Sequence, residues 1–494
     1  MKKLLLSFLL ALVTGTSAFA VVDPNKYDAV NDIKIKNVWL LDRAHAGDAF
    51  ISLDACNAKA RTAVMCDGVV YVARSEAKAI ITGTDTISAA VIYRFDAKTG
   101  EQLPTLDVTY NGGYVATTLG ANNIGVDNFG HLWVAPYTSE LASKMPLYSL
   151  NPETGELTLV AEFDKGDVLA RTDYVDVIGD ITREEAPCNV MTPGHSVATI
   201  YGWHCDQGGS RWEGFFEGDP YIDIVDFYPE TVTSWGIAPY ARFIVDAENE
   251  ESRYDGALFY VDGFTTMPAL YDNTGTLIES FENVPTDLWP LIGTNGVAEF
   301  TLDGRNFIVY SIAQYEGYNE ATESWRACQA NICELGEGMS LEGMTKYWQI
   351  PADRLGDVSD SGTRIHCFNV EYATEDDSEV VYLFDFKCYN GMGVYKIGKN
   401  LSEDVLKGDV NGDGRVNVSD VSTLINMILG TSAMDQARAD VNGDGRVNVS
   451  DVSTLINMIL GMTAMDEARA DVNGDGRVNV SDVSALINII LGIA

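Results

Sequence analysis

The stretch Tyr93–Leu103, YRFDAKTGEQL, joins a short β-rich run to a returning run through a polar turn that closes on Gly100. Aromatic and β-branched residues suit a pleated strand, while Asp, Asn and Gly suit a chain reversal. The pattern returns as YSLNPETGELTLV from Tyr148 and ALYDNTGTLIESF from Ala269, so the hairpin is a repeated unit. Its turn glycines, Gly100, Gly155 and Gly275, lie 55 and then 120 residues apart, one step and about two steps of a unit of 55 to 60 residues. The same texture runs from about Asp32 to Asn400, a span that holds six or seven such units, with few helical periodicities.

Hairpins repeated at this length predict a mainly β chain: a six- or seven-bladed β-propeller over residues 21–400. A pair of β-sandwiches is the competing architecture, but it would place turn signals roughly every 8–12 residues. The long glycine period favours the ring. A ring closes by pairing an early strand near Val38–Leu41 with a last strand near Gly393–Ile397. Asp303–Gly304, in FTLDGRNFIVY, marks a further hairpin. IGVDNFGHLWVAP, from Ile124, resembles the Asp-x-x-Gly-x-Leu-Trp turn of sensor-type propeller blades.

The end of the chain reads differently. DVNGDGRVNVSDVSTLINMILG begins at Asp409 and returns almost unchanged from Asp440 and from Asp471, giving repeats 409–430, 440–461 and 471–492 at offsets of 31 residues. Read as a twelve-residue loop, the first copy places oxygen side chains at Asp409, Asn411, Asp413, Asn417 and Asp420, with Gly414 at the sixth position. The carbonyl of Arg415 adds a ligand. Alternate oxygens converging on one hard cation define a calcium loop. The second copy offers Asp440, Asn442, Asp444, Arg446, Asn448 and Asp451; the third offers Asp471, Asn473, Asp475, Arg477, Asn479 and Asp482. Up to three Ca2+ ions are expected, opposing a module that carries twelve acids against five bases between Gly408 and Ala494. Behind the first loop Val421, Leu424, Ile425, Ile428 and Leu429 form an apolar stripe on a short helix, with Ser419 expected to cap its start and Gly430 its end.

An EF-hand would have a full entering helix and Glu at the twelfth position; here the entry is MDQARA or MDEARA and the position is Asp. The loop-then-helix layout over 408–494 resembles the dockerin module, a calcium-dependent docking domain that binds cohesins in cellulosome-type assemblies. The resemblance implies helix surfaces that read a cohesin-like or other surface protein. Two departures stand out: three repeats replace the usual two, and the basic pair often found in each helix is here Ile425–Asn426, Ile456–Asn457 and Ile487–Asn488.

Lys2 and Lys3, the apolar run that follows and the small residues Ala18 and Ala20 read as a bacterial-type signal peptide over 1–20, cleaved after Ala20. The chain is therefore expected to be secreted, without a transmembrane segment. A net charge of −39, from 33 basic and 72 acidic residues, excludes nucleic acid as a partner. Eight cysteines in an exported chain predict disulfides, with Cys56–Cys66, Cys188–Cys205, Cys328–Cys333 and Cys367–Cys388 as the local pairings. A zinc site from Cys188, His195, His204 and Cys205 is the weaker reading.

Trp203, Trp212 and Tyr221 lie in GWHCDQGGSRWEGFFEGDPYIDIVDF, where they are candidates for stacking on a glycan; packing between blades is the competing reading. Glu213 and Asp219 are candidates for an acid and base pair in glycoside chemistry. Residues 401–407 read as a linker. The sequence thus points to a secreted recognition propeller docked through its C-terminal repeats to a partner, a cell surface or a polysaccharide-degrading assembly. The alternative is a dockerin-bearing glycoside hydrolase or polysaccharide lyase.

Overall fold

The computed structural model describes residues 27–42, 62–79, 86–115, 121, 123–136, 144–164, 174–183, 188–193, 199–205, 212–214, 221–223, 239–245, 254, 258–263, 266–289, 296–312, 329–351, 366–387, 390–401, 408, 410–411 and 416–459. The chain divides into two units, Met1–Leu401 and Ser402–Ala494. The signal peptide, linker residues 402–407, the third repeat and His195 lie outside the described residues.

The first unit is a β-propeller of six sheets. Blade 1 runs through Ala63–Cys66, Val69–Ala79, Thr86–Asp96 and Gln102–Asp107. Blade 2 runs through Asn123–Val126, Leu132–Ala135, Lys144–Leu150 and Glu156–Asp164, with the small hairpin Thr109–Tyr110 and Gly113–Tyr114 at its outer edge. In blade 3, Asp176–Gly179, Cys188–Pro193 and Thr199–Cys205 are flanked by two short outer segments, Trp212–Gly214 and Tyr221–Asp223, both paired to the third strand. Blade 4 comprises Pro239–Ile244, Leu258–Gly263, Thr266–Asp272 and Leu277–Ser280, and blade 5 comprises Val297–Leu302, Arg305–Ile312, Gln329–Glu334 and Thr345–Ile350.

Blade 6 joins both ends of the unit. His366–Glu375, Ser378–Lys387 and Gly391–Gly398 come from its end, and the fourth, outermost strand is Lys34–Asp42 from its beginning. Trp39 pairs with Val394, Leu40 with Gly393 and Leu41 with Met392, which is the closure expected from the sequence. Trp39 is 2% exposed, packs in the core shared by blades 6 and 1, and donates its indole N–H to the Ala97 carbonyl of blade 1 at 2.8 Å.

The repeated turns behave as their residues demand. Gly100, Gly155 and Gly275 all take positive φ at the outer hairpins of blades 1, 2 and 4. In each turn the leading side chain accepts two backbone N–H groups: Asp96 from Lys98 and Thr99, Asn151 from Glu153 and Thr154, Asp272 from Thr274 and Thr276. The spacing of 55 and 120 residues is one blade and then two. Asp303–Gly304 closes the inner hairpin of blade 5, and like Asp67–Gly68 in blade 1 it has positive φ at both positions, the primed turn that matches strand twist.

A strand at the ring's centre has a partner on one side only, so its other edge presents backbone N–H groups that must be satisfied. Buried side chains of neighbouring blades supply acceptors. Asn369 of blade 6 accepts from Met65 N of blade 1, and Thr62 of blade 1 accepts from Ile124 N of blade 2. Asp127 of blade 2 accepts from Ile181 N of blade 3, Asp176 of blade 3 from Phe243 N of blade 4, and Asp262 of blade 4 from Gly296 N ahead of blade 5. At the remaining boundary the acceptor is exposed: the Tyr372 hydroxyl of blade 6 accepts from Thr301 N of blade 5.

The expected disulfides require correction. Cys66, Cys333 and Cys367 are buried thiols. Cys333 lies within the extended strand Gln329–Glu334. Cys333 is a free thiol there, not a bridged one. Cys66 instead donates to the Gly130 carbonyl at 3.3 Å. Burial pushes the thiols of Cys66 and Cys333 up to about 12 and that of Cys367 up to about 11. Cys188 is buried in the core between blades 2 and 3, one step beyond the Asn189–His204 pair and so level with Cys205. Cys56, Cys328 and Cys388 lie outside the described residues.

Trp39→Ala should open the closure, costing about 3–5 kcal/mol of unfolding free energy in chemical denaturation, with blade 1 peptides losing hydrogen-exchange protection alongside blade 6. Between blades 4 and 5, Tyr260 donates to Glu299 Oε1 at 2.7 Å, while burial pushes the Glu299 carboxyl up to about 7. A carboxyl whose folded pKa is raised stabilises fully below its unfolded value and loses that contribution as pH rises through the folded one. Glu299→Gln should therefore gain on the order of 1–3 kcal/mol over the parent at pH 8, and denaturant titrations should show the gain fading by pH 5.

Candidate functional site

In the second unit, helix α1 (Val418–Ile428) follows the first loop, the short helix α2 (Gln436–Ala439) enters the second, and helix α3 (Val449–Ile459) leaves it. An eleven-residue helix is marginal alone, and these two stabilise each other. Their common core pairs residues 31 positions apart: Val410 with Val441, Val421 with Val452, Leu424 with Leu455, flanked by Ile425 with Ile456 and Ile428 with Ile459. Leu429, expected in the buried stripe, is 69% exposed, and Met427 takes the inward place. Leu429 is the C-cap, where the chain leaves the helix before Gly430 at positive φ.

The helix start also differs from expectation. Asn417, not Ser419, is the N-cap of α1; its side chain accepts from Ser419 N, and the Asp420 carboxylate reaches back to Asn417 N. Asp420 also accepts from Asn411 N at 3.1 Å, so one carboxylate ties the loop's early part to the helix it precedes. Asp451 repeats both bonds, to Asn442 N at 3.1 Å and Asn448 N at 2.8 Å.

In the second loop, Asp440 accepts from Gly443, Asp444 and Gly445, Asn442 from Asp444, and Asp444 from Arg446. Gly443 and Gly445 take positive φ, which a side chain would resist. In the first loop Asp409, Asp413 and Arg415 lie outside the described residues, as do all six third-loop positions from Asp471 to Asp482. The donor set is all oxygen, which suits a hard divalent cation. Asp420 and Asp451 are fully buried, and neither forms an ion pair among the described residues. A buried carboxylate without a countercharge is costly, so these loops fit a cation.

On the propeller, the six inner strands begin on one face, because every blade repeats the same meander. At that end of the central channel a cavity of about 30 Å³ is lined by residues including Thr62, Asn123, Trp133, Asp176, Arg242 and Asn369. Arg242 donates to the Phe368 carbonyl at 2.7 Å. Burial raises the Asp176 carboxyl, and the Arg242 charge opposes that rise. The connections 43–61, 224–238 and 352–365, which precede inner strands in the sequence, lie outside the described residues.

The sequence-derived sugar candidates fall elsewhere. Trp203 is 4% exposed and packs with Phe163 and Tyr201 in the core between blades 2 and 3, which fits the packing reading. The backbones of Trp212, Glu213 and Tyr221 lie in the outer segments of blade 3, opposite Cys205, His204 and Tyr201; their side chains, and the whole of Asp219, lie outside the described residues. His204 Nδ1 is 2.6 Å from Asn189 Oδ1.

Two other polar clusters, one fully buried at His366 and one part-exposed at His131, tie strands together, although His366 Nδ1 and Asp385 Oδ2 have no hydrogen-bond partner among the described residues. His366 Nε2 bonds Asp385 Oδ1 with both side chains fully buried, and burial lowers the imidazole pKa. His131 Nδ1 lies 3.1 Å from Asp127 and 3.3 Å from Asp180, but both carboxylates already accept backbone N–H groups, so the cluster ties blade 2 to blade 3. Composition gave no signal for Arg242 or Asn123, which only the ring brings together.

The molecule is thus a six-bladed propeller followed by a tandem loop–helix module. The Dockerin type I domain family matches residues 407–460 and again 439–491, so the C-terminal unit carries a type I dockerin domain. Dockerin domains bind calcium and cohesins, and proteins that carry them are typically extracellular. Solved structures similar to the chain include a DUF4623 family protein from Bacteroides eggerthii DSM 20697, at 12% identity over 76% of this chain and 77% of that one, with a TM-score of 0.48. Sqt1 of Saccharomyces cerevisiae has 9% identity over 69% and 96%, with a TM-score of 0.35. A putative 6-phosphogluconolactonase from Bacteroides fragilis NCTC 9343 has 12% identity over 65% and 91%, with a TM-score of 0.34. No curated protein matches the chain. Among the described residues no helix is long and apolar enough to cross a membrane.

Asp451→Ala removes the carboxylate that reaches back to Asn448 N at the start of α3 and the tie to Asn442 N. It should cost about 1–2 kcal/mol even without metal, read as faster hydrogen exchange across 441–459 in the full chain while blade peptides are unchanged.

Proposed function

We propose that this is a secreted modular protein whose dockerin domain docks a recognition propeller onto a cohesin-like receptor on a cell surface or in a polysaccharide-degrading assembly. The observation that carries the reading is the paired core of the first two repeats, with Asp420 and Asp451 buried at equivalent places and closing equivalent loops. Each repeat holds one Ca2+. Asp409, Asn411, Asp413, Arg415, Asn417 and Asp420 would hold the first, Asp440, Asn442, Asp444, Arg446, Asn448 and Asp451 the second, and the corresponding third-loop residues the third. The ion supplies the positive charge that lets these carboxylates approach one another, so binding and ordering of the module are coupled. The boundaries that follow are 1–20 for the signal peptide, 21–400 for the propeller, 401–407 for the linker and 408–494 for the dockerin.

The propeller is the recognition part, with a glycan as its ligand. The mouth of the channel supports binding rather than hydrolysis: Asp176 is the one carboxylate in its described wall, whereas glycoside cleavage uses two flanking the bond. With Ile425–Asn426 and Ile456–Asn457 in place of a basic pair, the receptor surface is apolar and neutral rather than acidic.

Capture of the full chain by a panel of immobilised cohesins should succeed in calcium and fail in chelator. In the same samples, hydrogen exchange should rise across 408–494 on chelation while the blades stay protected. Capture that ignores chelation would overturn the docking mechanism.

A further inference from the structure

Almost every polar side chain in the wall of the channel cavity is committed. Thr62 holds Ile124 N, Asn369 bonds both the N–H and the carbonyl of Met65, Asp176 holds Phe243 N, and Arg242 bonds the Phe368 carbonyl. Two side chains break the pattern. Asn123 is 1% exposed, yet neither its amide nitrogen nor its amide oxygen has a partner; Trp133 is 3% exposed, and its indole N–H has none. Buried polar groups without partners are rare and costly, and each calls for an explanation.

Their placement is enforced. Asn123 opens the inner strand of blade 2, and Trp133 lies opposite Gly125 of that strand. A Cβ at Gly125 would stand 2.2 Å from the indole, so glycine is what lets the ring lie across the inner strand. The sequence thus spends a glycine to hold an N–H donor against a cavity in which nothing of the protein receives it.

The chemistry of the wall selects a ligand. The uncommitted groups offer three N–H hydrogens, two from Asn123 and one from Trp133, against one acceptor, Asn123 Oδ1, and the Arg242 guanidinium stands in the same wall. A ligand that presents oxygen acceptors and negative charge, with one hydroxyl to donate, satisfies them all. A cavity of about 30 Å³ admits a group the size of one carboxylate or about two waters, so it takes the head of a ligand whose body extends from the mouth.

We propose that this cavity is a binding site for a hydroxy-carboxylate head group, as carried by the uronic acid of an acidic glycan or by a free 2-hydroxy acid. In its glycan form it rests on the reading of the propeller as a recognition domain. Asn123 and Trp133 bond the carboxylate oxygens, Asn123 Oδ1 accepts the neighbouring hydroxyl, and Arg242 supplies charge.

Titration calorimetry on the full chain in calcium tests this with D-glucuronate, D-glucose and glycolate. Glucuronate should bind at least tenfold more tightly than glucose, from which it differs by its carboxylate. Asn123→Leu should weaken glucuronate at least tenfold while the melting temperature holds or rises, since an unsatisfied amide is replaced by an apolar group. Trp133→Phe, which keeps a ring and loses the N–H, should weaken it about fivefold, the worth of one hydrogen bond. Glycolate binding that competes with glucuronate upholds the site and assigns it to free hydroxy acids as well; glucuronate binding alone assigns it to glycans. Equal binding of glucose and glucuronate, unchanged by Asn123→Leu, leaves the recognition reading standing and overturns the carboxylate site. Failure of both glucuronate and glycolate to bind overturns it too, as does a lower melting temperature of Asn123→Leu with affinity unchanged.

Discussion

The ring depends on how the inner edges of its sheets are satisfied. Each innermost strand is hydrogen-bonded to one neighbour, and its free edge cannot pair with another strand without destroying the channel. The solution repeats around the circle: a buried oxygen from one blade, on Asn369, Thr62, Asp127, Asp176 or Asp262, accepts an N–H from the next. These bonds are worth little net individually, but leaving the N–H groups unmet would cost far more. They also fix the angular position of each blade, which nonspecific apolar packing between sheets would not. Closure by Lys34–Asp42 completes the circle, so blade 6 is built from both ends of the unit and neither end can fray without opening the ring.

That arrangement explains which parts of the fold were legible in the sequence. Turns and strands are local, and their rules are written locally: the Asp or Asn that opens each outer hairpin and the glycine that closes it needed no tertiary knowledge. Spacing those turns gave the blade length, and the blade length gave the ring. The inter-blade acceptors were illegible, because Asn369 and Met65 are 304 residues apart and look like ordinary members of strands. The cysteines misled for a related reason. Nearness in sequence suggests pairing across a loop, but Cys333 lies inside an extended strand and is a buried free thiol. Burial makes Cys333 and Cys367 small apolar core residues whose thiols stay protonated.

The dockerin was more legible, because its chemistry and its packing share one short repeat. Even so, two assignments moved: Met427 takes the inward place expected of Leu429, and Asn417 caps the helix in place of Ser419. Asn417 serves both as a loop residue and as the helix cap, while the twelfth-position Asp is buried beneath the loop rather than displayed on it. As Asp, its carboxylate bonds the backbone N–H groups of the loop's third and ninth residues at once. The same carboxylate thus ties the loop's backbone to the helix behind it, where the charge of a bound cation would offset the clustered acids.

The two units solve the same problem in opposite ways. In the dockerin the apolar stripes cover each other and the loop oxygens are left for a cation; in the propeller a polar atom of one blade meets an N–H of the next at boundary after boundary along the inner ring. Within the cavity wall Asn123 and Trp133 depart from that economy, and both sit beside residues that are committed. A scaffold able to match acceptors to donors at one blade boundary after another had the means to match these as well. That it instead clears a glycine for the indole, and leaves an amide facing a small cavity beside a guanidinium, is what a binding surface requires: groups held rigidly by strands and left for something outside the chain to satisfy.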